Sequence, residues 1–298
     1  MTEIKGIIVP ILTPFHEDES LNLDELRVQI ERMIEAGIDG IFPFGTNGEG
    51  YILNTEEKYQ VLKTTIEQVD HRVPVYAGTG CISTKETIKQ SLMAKELGAD
   101  VVSIITPSFA KASQEELYVH YKTVAEAVDM PVLLYNIPAR TGNALLPETV
   151  ERLSEIDNIV GAKDSSGDWE NLKAYIAIRK KRNDFAILSG NDSLILNCLK
   201  EGGQGAIAGC ANVYPHVLAS IYDHFIADQL EEAQKAQDSI ASFRAVFQYG
   251  NPNTIVKKAV GLLGYPVGEC RAPFNGLSEE GYAALRKVLE ENKERGMK

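Results

Sequence analysis

A lysine that closes an apolar run is the residue on which the chemistry of this chain turns. Residues 158–167 read Asn-Ile-Val-Gly-Ala-Lys-Asp-Ser-Ser-Gly, so the run ends at Lys163 and a polar, glycine-containing turn follows. That is the pattern of a buried parallel strand whose last residue reaches a loop-lined mouth. Desolvation there favours the neutral amine. At the ordinary pKa of ~10.4 only about one lysine in a thousand is neutral at pH 7. A value of roughly 7–8 would supply the nucleophile that Schiff-base formation needs. A lone strand-end lysine more often keeps its charge in water, or pairs with a neighbour such as Asp164. Its surroundings must therefore decide.

Four other stretches carry groups that suit such a lysine. Residues 45–49, Gly-Thr-Asn-Gly-Glu, hold glycines that permit a tight turn, so the N–H groups of Thr46 and Asn47 can converge on a carboxylate. Residues 135–142 begin with Tyr135, whose hydroxyl can move protons, and include Arg140, whose planar fork suits a carboxylate. Gly190, ahead of Asn191 and Asp192, leaves backbone room, and Gly209 and Cys210 follow small residues. Each has a plainer reading as a glycine turn, an interface aromatic or a surface ion pair. Their positions at successive strand ends favour a single site.

The elements that must place them alternate regularly. Strands are expected over residues 7–12, 38–44, 73–78, 99–105, 131–136, up to Lys163, 185–189 and 206–208. Between them, a helix over about 24–36 stops at Gly37, Asn54 and Ser83 open further helices, and another runs over about 113–128. Pro147 stands in a first helical turn, and a helix passes through Leu172 and Ile178. Eight such units predict an α/β fold, a (β/α)8 TIM barrel, with chemistry at the C-terminal ends of the strands. A doubly wound open sheet is the alternative, but no GxGxxG follows the first strand. Residues 1–213 are expected to form the barrel carrying the site, and 214–298 a helical C-terminal extension packed on it or on a partner subunit.

The 298 residues are 44% hydrophobic and 24% charged, with a net charge of −12. That charge argues against nucleic acid or an anionic membrane as partner, though local cations can still bind small anions. No apolar segment is long enough to span a bilayer and the N-terminus lacks a signal-like core, so a soluble cytoplasmic protein is expected. Cys81, Cys198, Cys210 and Cys270 form no CxxC pair and read as free thiols. The histidines, His120 among them, are scattered without HExxH or HxH, so they are placed on helix surfaces or ends and no metal is expected.

The set GTNGE at 45–49, YNIPARTG at 135–142 and GAKDSSG at 161–167 resembles the dihydrodipicolinate synthase/N-acetylneuraminate lyase family, in order and across essentially the whole chain. The resemblance implies class I aldolase chemistry on pyruvate, without metal or organic cofactor, in a homotetramer or homodimer. It implies that Lys163 forms the Schiff base, that Tyr135 shuttles protons through Thr46, and that Thr46 and Asn47 hold the pyruvate carboxylate. Ile207 matches a position whose carbonyl lies near the keto acid; Gly190, for the backbone room it leaves at a strand end, is counted with the substrate-binding residues. Arg140 in its PxRTG setting resembles the synthase branch, where the arginine holds the carboxylate of aspartate semialdehyde. Asn191 and Asp192 differ from the acidic pair of the sialic-acid lyases.

Two positions depart from the synthase pattern. Phe109 stands where synthases usually carry a relay tyrosine contributed across a subunit interface, and Asn47 where they usually carry threonine. Asn47 resembles aldolases for 4-hydroxy-2-oxoglutarate. Two enzymatic readings therefore stand: a synthase joining pyruvate to aspartate semialdehyde, and an aldolase for a 2-keto-3-deoxy or 4-hydroxy-2-keto acid. A non-catalytic pyruvate-binding sensor is the alternative from another class, and intact Lys163, Tyr135 and Thr46 weigh against it. Lys58 and Ile82 replace the His and Asn of lysine-inhibited members, and a cation at 58 would repel bound lysine.

Overall fold

The computed structural model describes residues 3–297. Among them eight strands, β1 (Gly6–Val9), β2 (Gly40–Ile41), β3 (Tyr76–Gly78), β4 (Val101–Ile105), β5 (Val132–Asn136), β6 (Ile159–Asp164), β7 (Ala186–Ser189) and β8 (Gly205–Ile207), pair in parallel in the order β2-β1-β8-β7-β6-β5-β4-β3. The ends of that order meet through a parallel bridge between Ile41 and Val75, with Ile41 N–H donating to Pro74 O at 3.0 Å. The expected (β/α)8 TIM barrel is therefore the observed fold. Its interior is filled by Ile8, Phe42, Tyr76, Val101, Leu133, Leu188 and Ile207, while a larger apolar layer lies between strands and helices. Both faces of each strand are buried, which is why the strands read as apolar runs.

The helices start where capping residues predict. Asn54 and Ser113 each form a complete capping box, with Glu57 and Glu116, ahead of helices Thr55–Val69 and Gln114–Val128. Helix Leu23–Glu35 precedes Gly37, which takes a left-handed φ of 83°, and Pro147 opens helix Pro147–Leu153.

Three expectations need correcting. The strand expected over 38–44 shrinks to Gly40–Ile41, because Pro43 offers no N–H and Phe44 turns to φ 65°. Strand β6 runs one residue past Lys163, pairing Asp164 with Asn136 and Ser189. His120 does not lie on a helix surface: it is buried, its Nδ1 2.9 Å from the Thr84 hydroxyl, and burial pushes it down from 6.5 to about 4. The four cysteines are free; Cys198, Cys210 and Cys270 are buried and Cys81 half-buried.

After β8, helix Pro215–Ile226 packs against β1, so the stretch beyond 213 supplies the last helix of the barrel wall. Helices Leu230–Ser239, Ala241–Ala245, Pro252–Leu262 and Glu279–Glu294 follow. Among the described residues no helix is long and apolar enough to cross a membrane.

Candidate active site

Lys163 occupies the penultimate place in β6, where the ladder sets it directly across from Tyr135 on β5. Its side chain is only 4% exposed. The nitrogen lies 3.9 Å from the centre of the Tyr135 ring and 5.5 Å from that of Phe42. The neighbour that could have paired with it points the other way, as strand alternation requires. The Asp164 carboxylate accepts from Asn136 Nδ2 at 2.8 Å, Asn171 Nδ2 at 3.1 Å, Ser166 N–H at 3.1 Å and the Ser166 hydroxyl at 2.8 Å. Room for the lysine stem depends on Gly190, since a Cβ there would stand 2.8 Å from Lys163 Cε and collide with Ser165 Oγ.

The Tyr135 hydroxyl stands 3.0 Å from that of Thr46, which comes from the turn after β2. Among the described residues no acceptor meets the N–H groups of Thr46 or Asn47, so two backbone donors stay free beside the lysine. Asn47 abuts Gly209, where a Cβ would approach its Oδ1 to 3.2 Å. Ile207 is buried at the end of β8. Arg140 is exposed and anchors one nitrogen, Nη2, on Asn251 Oδ1 at 3.1 Å.

All seven residues expected at the site, Lys163, Tyr135, Thr46, Asn47, Arg140, Ile207 and Gly190, line one cavity of about 220 Å³. An outer cavity of about 530 Å³ shares Thr46, Arg140 and Asn253 with it, and both Lys58 and Ile82 border that outer space. Phe109 lines neither; its ring is 99% exposed on a backbone at φ 79°.

Sequence reasoning missed the opposite wall. Arg244, Phe247, Pro252, Asn253 and Val256, all from the C-terminal helical segment, border the same cavity. Asn253 donates to Thr46 O at 2.7 Å. Arg244 Nη2 donates to Asn191 Oδ1 at 2.8 Å, and its Nη1 lies 3.7 Å from Asp192, whose carboxylate accepts the N–H of Cys210 at 2.8 Å. Behind the Thr46 turn, Glu49 and Lys257 form a wholly buried ion pair at 2.7 Å. Burial pulls the Lys257 ammonium below its ordinary 10.5, and Glu49 offsets that pull. Helical periodicity marks which face of these helices is apolar, but it holds no signal for which barrel end that face covers. Among the described residues, no three His, Cys, Asp or Glu side chains gather as a metal set.

The chain matches the model of the dihydrodipicolinate synthetase family over residues 3–292. It is 42% identical to a 4-hydroxy-tetrahydrodipicolinate synthase of Geobacter sp. (strain M21), over 97% of this chain and 99% of the relative. Among solved structures it is similar to the chloride-inhibited dihydrodipicolinate synthase of Acinetobacter baumannii complexed with pyruvate, with 36% identity, a TM-score of 0.92 and coverage of 97% and 99%. It is also similar to YagE, a prophage protein of the same family from E. coli K12 in complex with pyruvate, with 33% identity, a TM-score of 0.94 and coverage of 98% and 99%.

Proposed function

The chain belongs to the dihydrodipicolinate synthetase family, and from that premise we propose that it is a Schiff-base lyase that joins pyruvate to aspartate semialdehyde, as a 4-hydroxy-tetrahydrodipicolinate synthase does. The observation that carries this reading is a buried amine, against the Tyr135 ring, in a cavity that also holds two free backbone donors and a guanidinium. The unprotonated Lys163 nitrogen adds to the C2 carbonyl of pyruvate, and the carbinolamine loses water to give a protonated imine. Thr46 and Asn47 N–H groups hold the pyruvate carboxylate. The imine draws electrons from the methyl group, which gives up a proton to leave an enamine. The enamine carbon bonds to the aldehyde carbon, whose oxygen takes a proton. The amine carried by the aldehyde substrate then displaces Lys163 from the imine carbon, which closes a ring and returns the lysine free. Tyr135, with the Thr46 hydroxyl at 3.0 Å, carries protons in these steps. Gly190 and the end of β8 at Ile207 shape the floor on which the keto acid lies, and Arg140 takes the carboxylate of the incoming aldehyde.

Reduction with borohydride in the presence of pyruvate tests the chemistry: the expected result is a pyruvyl adduct on Lys163, seen by peptide mass spectrometry and lost in Lys163→Ala. An unmodified Lys163 peptide would overturn it. The second reading, an aldolase for a 2-keto-3-deoxy or 4-hydroxy-2-keto acid, is favoured by the added cation Arg244 at the cavity and by a hydroxyl-free Phe109. Comparing kcat/KM for aspartate semialdehyde with that for a panel of such acids separates the two. A biosynthetic role in the cytoplasm, on the route to lysine, accords with the first reading. Exposed Phe109, Tyr51, Ile82 and Phe274 suit burial between copies of the chain in a homotetramer or homodimer, which sedimentation measures.

A further inference from the structure

The turn that carries Thr46 and Asn47 has a conformation that local sequence does not favour. Glu49 sits at φ 54°, a left-handed backbone that disfavours any residue with a Cβ. Its neighbour Gly48 packs so closely that a Cβ would stand 2.7 Å from Ile11 O. Something outside the turn must hold it. The Glu49 carboxylate points into the interior, where one oxygen takes a hydrogen bond from Lys257 Nζ at 2.7 Å and the other from Arg271 N–H at 2.9 Å. Lys257 also donates to Thr13 O at 2.8 Å, and the Thr13 hydroxyl donates to Gly48 O at 2.7 Å. Asn253, four residues before Lys257 on helix Pro252–Leu262 and therefore on the same face, donates to Thr46 O at 2.7 Å. One helix face thus grips the turn at both of its ends.

Stability is a poor reason for such a pair. Two charges stripped of water gain little over an apolar pair of the same shape, whereas fixing one geometry among several is a better-attested use. We infer that Glu49 and Lys257 are positioning residues: their pair, set by the C-terminal helical segment, holds the Thr46 and Asn47 amides in the geometry that receives the carboxylate of the keto acid. The inference rests on the reading of this cavity as the pyruvate site.

The experiment compares Glu49→Gln, Lys257→Met and the double variant with the parent, measuring KM for pyruvate, KM for the aldehyde, kcat and thermal midpoint. A misplaced turn should raise the pyruvate KM about tenfold or more in all three and lower kcat by a smaller factor, since the same turn carries the Thr46 hydroxyl, with the aldehyde KM within about threefold of the parent. The double variant, which leaves no unpaired buried charge, should regain much of the thermal midpoint yet keep the raised pyruvate KM. It also decides the matter if a single variant does not fold. A double variant with the parental pyruvate KM would overturn the inference, since the pair would then be structural only. Failure of the parent itself to form a borohydride-trapped pyruvyl adduct would instead strike the reading of the site.

Discussion

Lys163 and Tyr135 stand side by side because a ladder of parallel hydrogen bonds fixes their register, whereas Asn253 and Arg244 reach the same cavity from helices that no ladder ties to the barrel. The first wall is a property of neighbouring strands: shift β6 by one residue and Lys163 turns into the helical layer while Asp164 faces the mouth. The second wall is a property of packing, held by single bonds such as Asn253 to Thr46 O and Arg244 to Asn191. The difference leaves Lys163 and Tyr135 on strands fixed by register, and leaves the turn of Thr46 and Asn47 to be held in place by packing from the helical wall.

Breaking the ladder wall should have the largest effect. Lys163→Ala removes the amine proposed as the covalent nucleophile, and turnover should fall by roughly 10⁴-fold or more, read by steady-state assay. Loss of less than about tenfold would remove β6 from the chemistry. Tyr135→Phe keeps the aromatic wall beside Lys163 but deletes the hydroxyl at 3.0 Å from Thr46. Its kcat should drop about 10²–10³-fold, the usual scale for a proton-transfer group, with pyruvate KM little changed. On the helical wall, Asn253→Ala frees the Thr46 carbonyl, and the cost of one hydrogen bond predicts a rise of about three- to tenfold in pyruvate KM with kcat nearly intact. An equal fall in kcat would erase the contrast between the walls.

The smallest effect on catalysis is expected from His120, which lines neither cavity. In the unfolded chain the ring titrates near 6.5, and in the folded protein burial lowers this to about 4. Above pH 6.5 both states are neutral and the site contributes its full stability. As pH falls, the unfolded chain binds the proton first, so stability declines from about 6.5 and levels off below about 4. The loss is on the order of 3 kcal/mol, or several degrees in thermal midpoint. His120→Phe should flatten that decline between pH 7 and 4.5, with kcat/KM at pH 7 near the parental value. A variant that melts in parallel with the parent across this range would show that His120 is not the group responsible.

Much of the barrel could be read directly. Apolar runs closed by glycine or polar turns marked the strands, Asn54, Ser83 and Ser113 marked helix starts, and Lys163 lay one residue from the end of its strand. The misses have local causes. His120 was placed outside because a single polar residue in a helix says nothing about what packs over it. The strand around Pro43 was drawn too long because the turn at Phe44 is held by contacts rather than by its own side chain.

The amino-acid order by itself determined the eightfold alternation and the set of strand-end residues that line one cavity, since period, caps and turns act over a few neighbouring positions. Only the tertiary structure decided what closes the cavity. Glu49 and Lys257 are 208 residues apart in the chain, yet they meet at 2.7 Å with no water access. A pairing over that distance follows from how helices settle on a finished barrel, where burial leaves each charge with one acceptable partner.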